Sequence, residues 1–169
     1  MARVQFSESL RTKKFSPSEA FGKICRYCAY QERSHKEVRN KLYGYGLYQA
    51  DVEKTLTQLI TDGFLSEERF AKAFAGGKFR MQKWGRNKIV NELELHGVTS
   101  RCIRNGLKEI DDADYLKTLR ALLKKKFSAT DEPNPFKRRD KVAKFAIGKG
   151  YEPELTWEIL REISRAQEL

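Results

Sequence analysis

Cysteine is scarce in this chain and its count is odd: three thiols in 169 residues imply no disulfide framework. Cys25-x2-Cys28 has the spacing of half a zinc site, but no second pair follows, and Cys102, His35 and His96 stand at no ligand spacing to it. Tetrahedral zinc needs four ligands, so the two thiols read as small residues on a buried helical face. Long apolar runs are missing too. None approaches the roughly 18 residues that span a bilayer, and Met1-Ala2-Arg3-Val4-Gln5-Phe6 lacks the apolar core of a signal peptide. A cytoplasmic protein with no membrane partner is expected. No segment sustains the alternation of a strand, and nothing resembles a phosphate-cradling glycine loop or a nucleophile elbow. The one tight acid cluster, Asp111, Asp112 and Asp114, suits the start of a helix, where carboxylates complement the dipole. No enzyme, cofactor, metal or small-molecule substrate is expected.

What the chain does have is a helical unit that recurs three times. It reads Leu42-x3-Gly46-x5-Val52-x3-Leu56, then Leu93-x3-Gly97-x5-Ile103-x3-Leu107, then more weakly Ala146-x3-Gly150-x5-Thr156-x3-Leu160. An apolar or small residue lies one turn before a glycine, and a second apolar helix begins shortly after. The glycines suit left-handed C-caps, a conformation that strains any residue with a Cβ. Repetition at this period defines an all-α array whose units share contacts with their neighbours.

Local signals place the helices. Ser16-Pro17-Ser18-Glu19 and Ser34-His35-Lys36-Glu37 are capping boxes, in which serine and glutamate satisfy orphan amides reciprocally. Phe21, Ile24, Cys25 and Cys28 then form an apolar face, and Val52, Leu56, Leu59 and Ile60 form the stripe of a third helix. Repeat two opens at Ser66-Glu67-Glu68, and its first helix holds Phe70, Ala73 and Phe74. Gly76-Gly77 marks a kink or a close approach, and Gly85 an N-cap. Ile103, Leu107 and Ile110 make the next stripe. Leu116, Leu119, Leu122, Leu123 and Phe127 follow, and Glu152-Pro153-Glu154 starts a last helix with Leu155, Ile159, Leu160 and Ile163 inward. The expected division is a basic arm over 1–15 and three-helix repeats over 16–65, 66–111 and 112–169, the last with a loop over 128–136.

Three strings are more specific than the repeat: Glu32-Arg33-Ser34-x2-Glu37-Val38-x3-Leu42, Asp62-Gly63-Phe64-Leu65-Ser66-Glu67-Glu68-Arg69-Phe70-Ala71, and Lys78-Phe79-Arg80-x3-Trp84-Gly85-x3-Ile89-x3-Leu93-x3-Gly97. In this order they resemble the bacterial RecX family, regulators of the RecA recombinase. The resemblance covers about residues 18 to 165. It implies three tandem three-helix repeats forming an elongated, curved body that lies in the groove of the RecA–DNA filament and inhibits ATP hydrolysis and strand exchange. Ala146 and Thr156 depart from it, standing where bulkier apolar residues are usual.

The charge fits a polyanionic partner: the net charge is +11 and the pI about 9.6. From Phe70 to Asn91 there are six bases, Lys72, Lys78, Arg80, Lys83, Arg86 and Lys88, and no acid. A solvated helix face usually mixes signs, so this run is a candidate contact for the filament or for single- or double-stranded DNA. Phe79 and Trp84 lie among these charges, where burial is favoured over stacking on bases. A second cluster, Lys124, Lys125, Lys126, Lys137, Arg138, Arg139 and Lys141, flanks the proline loop, and its two arms are expected to converge at the bend of repeat three. A RecA-independent architectural helix-turn-helix DNA-binding protein is the alternative, although no recognition helix collects base-reading Asn, Gln and Arg. A helical scaffold for an acidic protein is the third reading.

Overall fold

The computed structural model describes residues 14–165, and among them every regular element is a helix, nine in all. They divide into two compact units, one up to Ser66 and one from Glu67. Of the basic arm, only Lys14 and Phe15 fall within the described residues. The Phe15 amide donates to the Tyr45 carbonyl at 3.0 Å.

The first unit holds α1 (Pro17–Tyr30), α2 (His35–Gly44) and α3 (Gln49–Thr61). Both capping boxes form, with the Glu19 and Glu37 carboxylates accepting from the Ser16 and Ser34 amides at 2.9 and 2.8 Å. The core joins Ala20, Ile24 and Cys28 to Val38, Leu42, Leu47, Val52, Leu56, Leu59 and Leu65. Ile60 does not belong to it and is 47% exposed. The buried stripe of α3 runs through Val52, Thr55, Leu56 and Leu59, and one residue further is a rotation of about 100° out of that face.

The second unit holds α4 (Glu67–Gln82), α5 (Arg86–Leu95), α6 (Ser100–Leu107), α7 (Asp112–Ala129), α8 (Pro135–Gly148) and α9 (Pro153–Arg165). One apolar cluster runs through all six, from Phe70, Ile89 and Ile103 to Leu119, Val142 and Leu160. In α4, Phe70, Ala71 and Ala75 turn inward and Ala73 is exposed. The face expected to begin at Leu116 needs correcting. Leu116 is 43% exposed, because α7 buries Tyr115, Leu119, Leu123 and Phe127, a strict i, i+4 row that leaves residue 116 one step off the face. The loop after α7 is also shorter than 128–136: α7 continues to Ala129 and Asn134 caps α8, accepting from the Phe136 and Lys137 amides at 3.0 and 3.1 Å. Ala146 and Thr156 are fully buried, and the same core carries two large rings, Tyr115 and Tyr151, with centroids 5.1 Å apart.

Glycine geometry fixes the joint between α5 and the α8–α9 turn. Gly85 caps α5 and donates to the Lys149 carbonyl at 2.8 Å, while the Asn87 amide donates to the Gly150 carbonyl at 3.0 Å. Orphan amides of a helix start are thus satisfied by the carbonyls of a helix end. A Cβ on Gly85 would collide with the Gly150 backbone, and one on Gly150 with Lys88. Gly76 is used differently: α4 runs through it, and a Cβ there would come within 2.7 Å of the Arg80 guanidinium. The repeat glycines are left-handed, with φ of 84° at Gly46, 76° at Gly97 and 97° at Gly150.

Gly97 has open space around it, so Gly97→Val should lower the unfolding free energy by roughly 1–2 kcal/mol through backbone strain alone. Gly85→Ala should cost more despite its ordinary φ, because α5 must part from the α8–α9 turn. Denaturant melts check both, and a parent-like melt of Gly97→Val would contradict the left-handed turn.

Candidate functional site

The second basic cluster meets the first across a groove of about 800 Å³ between the C-terminal half of α4, α7 and α8. Its apolar lining is Phe79, Leu122 and Phe145, with Ala121 and Ala129. Around this stand five cations, Arg80, Lys83, Lys117, Lys125 and Lys126, against a single acid, Asp114. Helix α7 makes this possible by having two faces. Tyr115, Leu119, Leu123 and Phe127 enter the core, while Asp114, Lys117, Thr118, Ala121, Leu122, Lys125, Lys126 and Ala129 line the groove. The core set steps by four residues and the groove set by three and four, both periods of a helix face.

Of the thirteen candidate cations, four line the groove: Arg80, Lys83, Lys125 and Lys126. Lys72 pairs with Glu68 one turn earlier at 3.1 Å. Lys78 and Lys88 bracket the half-buried Trp84, their ammonium groups 4.8 and 4.4 Å from the ring centroid. Phe79 is buried at 7% exposure, and Trp84 packs against the core cluster. Arg86 does structural work. It pairs with Asp112 at 2.5 Å and stacks on Tyr115 at 4.2 Å, while its backbone amide donates to the Tyr115 hydroxyl at 3.0 Å. That hydroxyl donates to Glu152 at 2.6 Å, and burial, reinforced by this bond, pushes the phenol far above its usual range. Arg138 closes α7 by donating twice to the Phe127 carbonyl, at 3.1 and 2.6 Å. Arg139 lies over Phe136 at 4.9 Å. Lys124 and Lys137 are exposed and line no part of the groove. Lys141 pairs with Glu132 at 2.6 Å.

Lys117 and Phe145 are groove residues absent from the sequence-based set. Lys117, Ala121 and Lys125 recur every four residues, which was a readable signal for the first. Phe145 carries no charge and comes from another helix, so its place needed the fold.

Asp111 accepts from the Asp114 amide at 2.9 Å, as a helix-start cluster should. Among the described residues no group of three or more His, Cys, Asp or Glu is placed to hold a metal. Burial pushes the Cys28 thiol up to about 11, and Cys25 is raised also, first by burial and then by Asp62. Raised thiols are poor nucleophiles.

Three helix triplets in sequence, with a cation-lined groove in the second unit, define an all-helical tandem-repeat protein. The chain belongs to the RecX family: models of the first, second and third three-helix domains of RecX match residues 20–59, 66–107 and 112–160. Regulatory protein RecX of Clostridium perfringens strain 13 is 28% identical over 134 residues, covering 78% of this chain. This chain spans only 62% of that relative's length. Regulatory protein RecX of Chlorobium phaeobacteroides strain BS1 is 28% identical over 148 residues, covering 88% of this chain and 95% of its own. The crystal structure of RecX from Lactobacillus salivarius has the same fold, with a TM-score of 0.78 at 18% identity over 88% of this chain and 96% of that one. The family is one of regulatory proteins. No helix among the described residues is long and apolar enough to cross a membrane.

Tyr115→Phe leaves the Glu152 carboxylate and the Arg86 amide without their shared partner, and should cost roughly 1–3 kcal/mol in denaturant unfolding of the second unit. Cys28 gives a pH signature in the first. Its thiol is raised in the fold, so its contribution is complete below the ordinary value of 9.0 and is lost as pH rises through about 11. Cys28→Ala should therefore flatten the alkaline part of the stability profile; an unchanged slope would contradict the assignment.

Proposed function

We propose that this protein regulates the RecA recombinase by lodging in the groove of the RecA–DNA filament and lowering ATP hydrolysis and strand exchange. It acts in the cytoplasm by binding, without catalysing a reaction. The observation that supports this reading best is the match of all three RecX three-helix domains, in order, along a chain whose second unit gathers basic residues from two separate segments at one groove. A ligand shifts a conformational equilibrium only by its difference in affinity between the states. Bridging adjacent protomers in one arrangement therefore makes the rearrangement that accompanies ATP turnover unfavourable. The groove cations supply attraction to the filament, and the helical scaffold limits the entropy lost on docking.

Near-stoichiometric protein should lower the steady ATPase rate of a cognate RecA filament on single-stranded DNA. An unchanged rate, with co-sedimentation showing the protein bound, would overturn the inhibitory reading. The triple reversal Arg80→Glu, Lys83→Glu and Lys125→Glu should weaken filament binding while sparing the fold, because none of the three makes the Arg86–Asp112 or Arg138–Phe127 contacts. Every phosphate that a variant no longer neutralises should flatten log affinity against log salt by about 0.7 to 0.9. A flattened slope on naked DNA therefore identifies DNA as what the groove touches. Weaker filament binding with DNA binding unchanged identifies protein carboxylates.

A further inference from the structure

Five of the described residues have a left-handed backbone: Gly46, Gly63, Gly97 and Gly150, and Lys83 with φ of 55°. Each follows the end of a helix. At Lys83 the turn is one residue wider: the Lys83 amide donates to the Phe79 carbonyl, four residues back, at 3.0 Å and the Trp84 amide to the Lys78 carbonyl, six back, at 3.4 Å, where the glycine amides donate three residues back. A side chain with a Cβ is strained there and glycine is not, so glycine would serve the fold at residue 83 at least as well as lysine. Lys83 is the one described non-glycine residue held in this region, and such an outlier is a reason to look for a function at it. The Lys83 ammonium donates to the Arg80 carbonyl at 2.7 Å, which uses one of its three donors and holds the charge at the edge of the groove.

We propose that this groove receives an acidic amphipathic helix of a protein partner, with Lys83 as its anchoring cation. The inference rests on the filament reading for where such a helix would come from, and goes beyond it in naming the groove and the chemistry it selects. Single-stranded nucleic acid binds by stacking on free aromatic faces. In this groove Phe79 is buried and Phe145 is already faced by the Lys126 ammonium at 4.9 Å. The apolar lining suits Leu- or Phe-like side chains instead. The cations suit carboxylates that flank them: Lys117 and Lys125 lie eight residues apart on α7, a rise of about 12 Å, which a second helix laid alongside matches with acids two turns apart.

The test compares the parent, Lys83→Gly and Lys83→Glu in thermal melts and in binding to three probes. The probes are a fluorescein-labelled model helix with leucine at i, i+3, i+4 and i+7 and glutamate elsewhere, an oligo-dT of about 15 nucleotides, and cognate RecA filaments. Lys83→Gly should melt at or above the parent yet bind the model helix roughly five- to tenfold more weakly, the size of one partly desolvated ion pair. Lys83→Glu should weaken it further, and oligo-dT binding should stay near the parent's. The proposal is overturned if the parent does not bind the model helix, if Lys83→Gly binds it as the parent does, or if Lys83→Gly melts lower, which would assign the lysine to the fold. It is equally overturned if oligo-dT displaces the helix. A parent that binds the model helix but does not pellet with filaments leaves the groove assignment standing and removes the filament reading.

Discussion

The second unit depends on a place where two stretches of backbone touch with no side chain between them. A Cβ on Gly85 would strike the Gly150 backbone and one on Gly150 would strike Lys88, and the close approach lets the start of α5 donate to carbonyls at the end of α8. The contact joins two helix triplets through hydrogen bonds that each helix would otherwise have to find in water or in a capping side chain. Around it the tyrosine network closes: Tyr115 reaches from α7 to the Arg86 amide and to Glu152, while Arg86 reaches back to Asp112. With α5 and α7 fixed to the same turn, the C-terminal half of α4 is held opposite the outer face of α7, and the groove follows.

Positive charge in this unit is divided between two tasks. Arg86 and Arg138 are planar donors aimed at carboxylate or carbonyl oxygens and stacked on rings, a use that suits guanidinium better than ammonium. The groove is edged mostly by lysines, flexible point charges on long stems. Net charge alone does not distinguish these populations. The partners of each cation do, and they move several residues of the basic run from the binding surface to the scaffold.

Features set within four or five residues were legible in the sequence. The capping boxes at Ser16 and Ser34 and the left-handed glycines at 46, 97 and 150 formed as expected because each is decided by local hydrogen bonds and sterics, and Gly85 caps α5 as expected although its amide partners are distant. Ile60 and Leu116 were misplaced by one helical step, since an apolar residue at the margin of a stripe does not say which side it takes. The distant pairings had no local signature: nothing near Arg86 points to Asp112, 26 residues on, and nothing near Gly85 announces Gly150. The groove lay between. Its lysines were visible as charge, while the second stripe of α7 was masked by the stronger apolar one.

That double-faced helix carries a constraint on how the chain can vary in length. Deleting one residue from α7 ahead of Lys117 would turn everything after it by about 100°, and deleting four would still leave it about 40° out of phase. The core row and the groove row share one cylinder, so neither can drift without the other. Only a shift near seven residues restores both phases to within about 20°, and it moves the lysines along α4 by two turns. The α7–α8 connection is free of this coupling. Insertions are therefore tolerated around Asp131 and Pro133, and α7 acts as a gauge of fixed length that keeps the two faces in register.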